Sequence, residues 1–162
     1  MIEQQTVNMS RIYYFGSNRS IIVNKREYGY FITICDFDKL TITMPSKRWS
    51  HLIAYGDNVD SSILQNSNLQ RHFGGAFYVC VKDQRVHIRR FYYNEEKKEE
   101  RPTKEGIMLN HREWERIKKI ADAINANFTD IADEEPCFAG SDHQNQLGWL
   151  SCYECNPFQL NV

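Results

Sequence analysis

The chain has 162 residues, enough for one ordinary domain or two small ones. It holds no run of 18 apolar residues and opens without a basic segment leading into an apolar one, so neither a membrane span nor a secretion signal is expected. The net charge of -1 hides an asymmetry: residues 1–65 carry 7 Lys+Arg against 6 Asp+Glu, residues 66–119 carry 13 against 8, and residues 120–162 carry none against 7. Positive charge gathered in one stretch suits a polyanion whatever the overall balance, because counterion release depends on the cations beside the phosphates.

Residues 1–9 are polar, with Val7 and Met9 the only hint of a leading strand. From Arg11 the pattern turns strand-rich. Ile12–Phe15, Ser20–Val23, Tyr30–Phe37 and Leu40–Thr43 are expected strands, with a hairpin over 24–29. Pro45 suits a first helical turn, and Trp49, Leu52, Ile53, Val59 and Ile63 form a helical apolar stripe that Gly56-Asp57-Asn58 is expected to kink or end.

The second half repeats this order. Tyr78–Val81 and Val86–Tyr93 alternate at a period of two around the turn Lys82–Arg85. One face of the second strand carries Val86, Ile88 and Arg90. The other carries His87, Arg89, Phe91 and Tyr93, interleaving basic and aromatic side chains. Residues 94–104 lack an apolar anchor and read as a mobile charged loop, in which Lys97 and Lys98 sit among glutamates as solvated charges. Gly106–Leu109 returns to strand character. Asn110 and Glu113 then spell a capping box for a helix whose Trp114, Ile117, Ala121, Ile124, Phe128 and Ile131 form one seam.

Laid over each other, the halves agree. Phe15, Gly16 and Val23 match Phe73, Gly74 and Val81 at an offset of 58; Ile32, Ile34 and Phe37 match Val86, Ile88 and Phe91 at 54; Ile42 and Trp49 match Ile107 and Trp114 at 65. Two indels, both in loops, reconcile the comparison. The expected fold is α+β: two repeats of a four-stranded curved antiparallel sheet followed by a helix, pairing as a pseudo-dimer. The Trp114 seam is expected to face the helix that begins near Pro45. Pairing within one chain and pairing between two chains as a homodimer both satisfy the pattern. The expected division is 1–65 for the first repeat, 66–135 for the second and 136–162 for a tail.

Tyr78–Val81, Ile88–Tyr92 and above all Arg101-Pro102-Thr103-Lys104-Glu105-Gly106-Ile107-Met108-Leu109, with Trp114 five residues on, resemble the transcriptional coactivator family called positive cofactor four. The resemblance covers about residues 70–130, with residues 11–64 as a degenerate first copy. It implies a curved sheet, helix-mediated pairing and binding of single-stranded DNA across the sheets. Carried over residue by residue, it implies contacts from Lys82, Arg85, Arg89, Tyr92, Arg101 and Lys104, with Glu105 acidic where the family is commonly basic. In the first repeat Cys35 and Asp36 stand opposite Arg89 and Arg90, which leaves Lys25, Arg26 and Tyr28 as the most it offers.

Single-strand binding needs cations for phosphates and flat rings for bases, and those residues supply both. Phe91 is assigned to the core. RNA shares this chemistry and stays open as a partner, as does the transcription machinery. The competing reading is a protein-interaction scaffold of the same fold that has lost DNA binding, motivated by the acidic tail and the degenerate first repeat; a separate role for the tail is that Glu134, Glu135 and Asp142 shield the basic surface from nucleic acid. An intracellular protein is expected, nuclear in a eukaryote.

Five cysteines without a signal peptide read as thiols or metal ligands. Cys80 is assigned to the core. Cys137, His143, Cys152 and Cys155 spell C-x5-H-x8-C-x2-C, in which the C-x2-C pair suits tetrahedral Zn2+. The alternative is a metal-free tail with Trp149, Tyr153 and Phe158 tucked on the core. The five histidines are scattered in sequence and no phosphate-binding glycine loop occurs, so no enzyme is expected.

Overall fold

A computed structural model of the chain describes residues 10–37, 39–143 and 146–160. The weak leading strand expected within residues 1–9 lies outside them. Strands β1 (Ser10–Gly16), β2 (Arg19–Arg26), β3 (Gly29–Asp36) and β4 (Lys39–Pro45) form one antiparallel sheet in sequential order. Helices α1 (Ser46–Ala54) and α2 (Gly56–Gln65) follow. Strands β5 (Leu69–Gly74), β6 (Phe77–Lys82), β7 (Arg85–Asn94) and β8 (Glu99–Leu109) form the second antiparallel sheet, followed by α3 (His111–Asn127) and the short α4 (Thr129–Ala132). The tail holds two 3-10 turns, Cys137–Ala139 and Ser141–His143, and α5 (Gln146–Ser151). Among the described residues no helix is long and apolar enough to cross a membrane.

This is the two-repeat α+β fold expected from the sequence, and its irregularities repeat as well. Register slips between Tyr14 and Gly16 in β1 and between His72 and Gly74 in β5, at the same offset of 58 as the matched Phe-Gly pairs. A second irregularity falls after Ile34 in β3 and after Arg89 in β7, one residue beyond Ile88, the match of Ile34.

The two units cover each other within the chain. Helix α3 packs on β1 as well as on its own sheet, and α1 packs on β5 as well as on β3 and β4. A single apolar core results, running from Phe15, Ile34 and Trp49 to Phe73, Ile88, Trp114 and Ile124. The seam of α3 is buried throughout, and its Asn110–Glu113 capping box forms in both directions, Asn110 Oδ1 accepting from Glu113 N at 2.9 Å and Glu113 Oε1 accepting from Asn110 N at 3.0 Å.

At Tyr55 the first helix breaks in two, as Gly56-Asp57-Asn58 suggested. The Trp114 seam reaches the second piece: Trp114 Nε1 donates to Asp60 Oδ1 at 3.0 Å and Lys118 Nζ lies 2.6 Å from Asp60 Oδ2.

The crossed packing is fixed at two matching corners. Glu113 approaches Gly16 so closely that a Cβ there would lie 2.9 Å from Oε2, and Arg19 bridges Glu113 and Asp36 at 2.8 and 3.0 Å. In the other unit Arg48, the counterpart of Glu113, approaches Gly74 and Gly75, and its guanidinium sits 5.5 Å from the Phe77 ring, Phe77 being the counterpart of Arg19. An arginine–carboxylate pair thus sits at both corners, Arg48 with Glu154 at 2.6 Å in the second, where the guanidinium also lies over a ring.

Two expectations are corrected. Residues 94–104 are not a loop: β7 and β8 continue as a paired ribbon, Tyr92 opposite Arg101, Tyr93 opposite Glu100 and Asn94 opposite Glu99, with only Glu95–Lys98 as the turn. The ribbon needs no apolar anchor because backbone pairing supplies its hydrogen bonds and Asn94 Oδ1 accepts from the Glu96 and Lys97 amides at 3.0 and 3.1 Å. Cys80 is not in the core: Val79 and Val81 fill it, so by strand alternation the thiol faces the opposite side of the sheet. Burial there pushes its pKa up to about 11.

Candidate nucleic-acid interface

Register fixes what the outer face of the second sheet displays. Because cross-strand partners point to one side, that face carries the rows Gln70, Cys80, His87, Met108 and His72, Tyr78, Arg89, Gly106, ending at one edge in Lys82 opposite Arg85 and at the other in Phe91 opposite Pro102. A groove of about 620 Å³ opens there, lined by Lys82, His87, Arg89, Phe91, Pro102 and Lys104 among others.

The tight turn sets Lys82 and Arg85 side by side. Asp83 and Gln84 both take positive φ, 52° and 62°, as a two-residue hairpin requires, and Gln84 Nε2 ties the turn to Ile63 O at 3.1 Å. Arg89 lies across the groove with Nη1 donating to Thr103 O at 3.1 Å, while Thr103 Oγ1 donates to Arg90 O at 2.8 Å and so holds the bulge over it. Gly106 is obligatory beneath this arrangement. A Cβ there would meet Ile88 O at 2.6 Å and Arg89 Cα at 2.8 Å, backbone atoms that cannot yield.

Among the described residues Lys82, Arg85, Arg89 and Lys104 have no carboxylate within salt-bridge distance, whereas Arg90 pairs with Glu105 at 3.5 Å and Arg101 with Glu99 at 2.6 Å. Their field is felt at His87. Burial holds the imidazole pKa below its usual value, and Arg89, Lys82 and Arg85 lower it further. Phosphates entering the groove oppose those cations, so the His87 pKa is expected to rise on oligonucleotide binding. By linkage, binding then takes up protons and strengthens as pH falls through the range between the bound and free pKa values. NMR titration of the His87 ring with and without a single-stranded oligonucleotide checks this; an unchanged midpoint would place the phosphates elsewhere.

Of the six residues selected from the sequence, the structure gathers Lys82, Arg89 and Lys104 around the groove and sets Arg85 on the same face. Tyr92 and Arg101 are cross-strand partners on the ribbon and do not line it. Tyr92 is 45% exposed. Phe91 is buried as expected, but against Tyr78, ring centroids 4.4 Å apart, in the groove rather than in the main core. His87 and Phe91 are thus groove residues that the selection passed over, although their shared parity with Arg89 was the signal.

The first sheet is different at the matching places. Asn24, Thr33 and Cys35 stand where Lys82, His87 and Arg89 stand, Thr33 closing on Thr43 through their hydroxyls at 3.0 Å and Cys35 only 5% exposed. Lys25 and Arg26 rest on Tyr30 and Phe31, 5.8 and 4.4 Å from the ring centroids, and Tyr28 projects from the hairpin.

Among the described residues, the acidic tail does not line the groove. Glu134 Oε1 accepts from Ser46 Oγ at 3.0 Å, and Asp142 Oδ1 meets His143 Nδ1 at 2.8 Å. Phe138 packs on His51 and Phe158 on Tyr93, with centroids 4.8 and 6.1 Å apart, while Tyr153 is exposed. Cys137, His143, Cys152 and Cys155 converge, one ligand atom from each lying within 4.8 Å of the others.

No curated protein and no solved structure matches the chain. Residues 82–120, which run from the Lys82 turn through β7 and β8 into α3, match the family described as Transcriptional Coactivator p15 (PC4), and so support a PC4-like second unit.

Proposed function

We propose that the protein is a non-catalytic nucleic-acid-binding protein that takes single-stranded DNA across the outer face of its second sheet, as an accessory to transcription or replication. The observation that carries this reading is the groove of β5–β8, in which Lys82, Arg89 and Lys104 surround His87 and Phe91 with no acid paired to them among the described residues. Cations spaced along a groove follow a phosphate chain, and His87 and Pro102 offer surfaces on which bases can stack, with Phe91 buried behind them; stacking on an aromatic ring contributes about 1–3 kcal/mol per base. The match of residues 82–120 to a coactivator family supports the same reading, and the first unit, a degenerate copy, acts as its structural partner. A duplex is too wide and stiff to offer its bases to such a face, so the single strand is preferred.

Titration of labelled single-stranded and duplex oligonucleotides at several salt concentrations tests the proposal. Four to six phosphate contacts give a log–log salt slope of roughly -3 to -4 for a single strand. Absence of binding at low salt would leave the groove to a protein partner, the scaffold reading, and equal affinity for the RNA counterpart would remove the preference for DNA.

A further inference from the structure

We infer that the C-terminal segment is a zinc-held clasp in which Cys137, His143, Cys152 and Cys155 ligate one Zn2+ and fasten the tail across both units.

Four ligand atoms converge within 4.8 Å, and two edges of the cluster have the lengths of a tetrahedral site. Metal–sulfur bonds of about 2.3 Å and metal–nitrogen bonds of about 2.0–2.1 Å set tetrahedral ligands roughly 3.8 Å apart for two sulfurs and roughly 3.6 Å for sulfur and nitrogen. Cys137 Sγ lies 3.8 Å from Cys152 Sγ and 3.9 Å from His143 Nε2. A disulfide would need about 2.05 Å between the sulfurs.

The surroundings are those of a metal site too. Asp142 holds the His143 Nδ1, which turns Nε2 toward the sulfurs. Cys155 is 6% exposed, and the His143 side chain 2%. Three thiolates and a neutral imidazole are a donor set that favours Zn2+ over the hard cations.

What the ion would hold is visible from Glu154, inside the C-x2-C turn. Its carboxylate takes two bonds from Arg48, Nε at 3.0 Å and Nη2 at 2.6 Å, and its carbonyl accepts from Gly75 N at 2.9 Å. Arg48 belongs to the first unit and Gly75 to the second. The turn therefore grips α1 and the β5–β6 connection together, at the corner that matches the one held by the Arg19–Glu113 pair. Zinc at its base keeps Glu154 in that place.

The full chain purified without chelator is expected to carry one zinc per molecule, and its cobalt-substituted form to show thiolate-to-metal charge transfer with the intense visible bands of a tetrahedral ion. Cys137→Ala and Cys152→Ala are expected to lose the metal, while Cys35→Ala and Cys80→Ala keep it. Should the alanine variants not fold, Cys155→His keeps four donors, and its cobalt form is expected to lose one thiolate's charge-transfer intensity. Stripping the zinc is expected to speed hydrogen exchange at the Gly75 amide. Metal-free protein with freely reactive thiols, a Cys137–Cys152 disulfide, or metal retained in the Cys137 and Cys152 variants would overturn the site. Unchanged Gly75 exchange after stripping would overturn the clasp.

Discussion

Reversing the charge at Arg89 is expected to weaken single-stranded DNA binding by about 30- to 100-fold, while reversing Arg101 costs only a few-fold. A hydrogen-bonded contact between a guanidinium and a phosphate is worth about 2–3 kcal/mol, and each 1.4 kcal/mol is a factor of ten. Arg89 qualifies for that value because it lines the groove with its guanidinium donating to a neutral carbonyl, that of Thr103, and among the described residues it meets no carboxylate. Arg101 does not. Its guanidinium is already spent on Glu99 at 2.9 and 2.6 Å, and its strand partner Tyr92 is outside the groove. Anisotropy titrations of Arg89→Glu and Arg101→Glu, each with a melting curve to show that the fold is kept, separate the two. Equal losses would move the DNA onto the Tyr92–Arg101 side of the ribbon.

That contrast marks how far the sequence could be read. Strand alternation placed Arg89 and His87 on one face and Val86 and Ile88 on the other, and the structure agrees. The repeat offsets, the capping box and the α3 seam were equally legible, because each is a local pattern with a fixed period. What stayed hidden depends on partners distant in sequence or on the other strand of a ribbon. Glu99-Glu100-Arg101 has no apolar residue, so only its pairing with Tyr92–Asn94 reveals a strand. Glu99 silences Arg101 two residues away only because the strand holds both on one side. Cys80 was legible in principle: its neighbours Val79 and Val81 already claimed the core, and alternation should have turned the thiol outward. The meeting of Glu154 with Arg48 spans 106 residues and leaves no periodic trace.

Because the helices cross between the units, neither unit is expected to melt alone. Trp49 and Trp114 are the matched anchors of the two halves, 1% and 0% exposed, and both belong to the same core cluster. Truncating either to alanine is expected to cost about 3–5 kcal/mol, since both the transfer of the ring and the cavity it leaves count against the folded state. For a domain of this size that corresponds to a fall in Tm of roughly 6–20 °C. Trp114→Ala also leaves Asp60 with Lys118 as its remaining partner at α2. If α1 and α3 each served only the sheet they follow, calorimetry of Trp114→Ala would show the second unit melting early and the first unchanged. Helix α3 instead lies on β1 and α1 on β5, so a hole beneath either tryptophan loosens both sheets. Both variants are therefore expected to give one transition, shifted by similar amounts, with Trp49→Phe and Trp114→Phe intermediate. Two separated transitions would show that the halves are neighbours joined by a linker, and that the shared core contributes little to cooperativity.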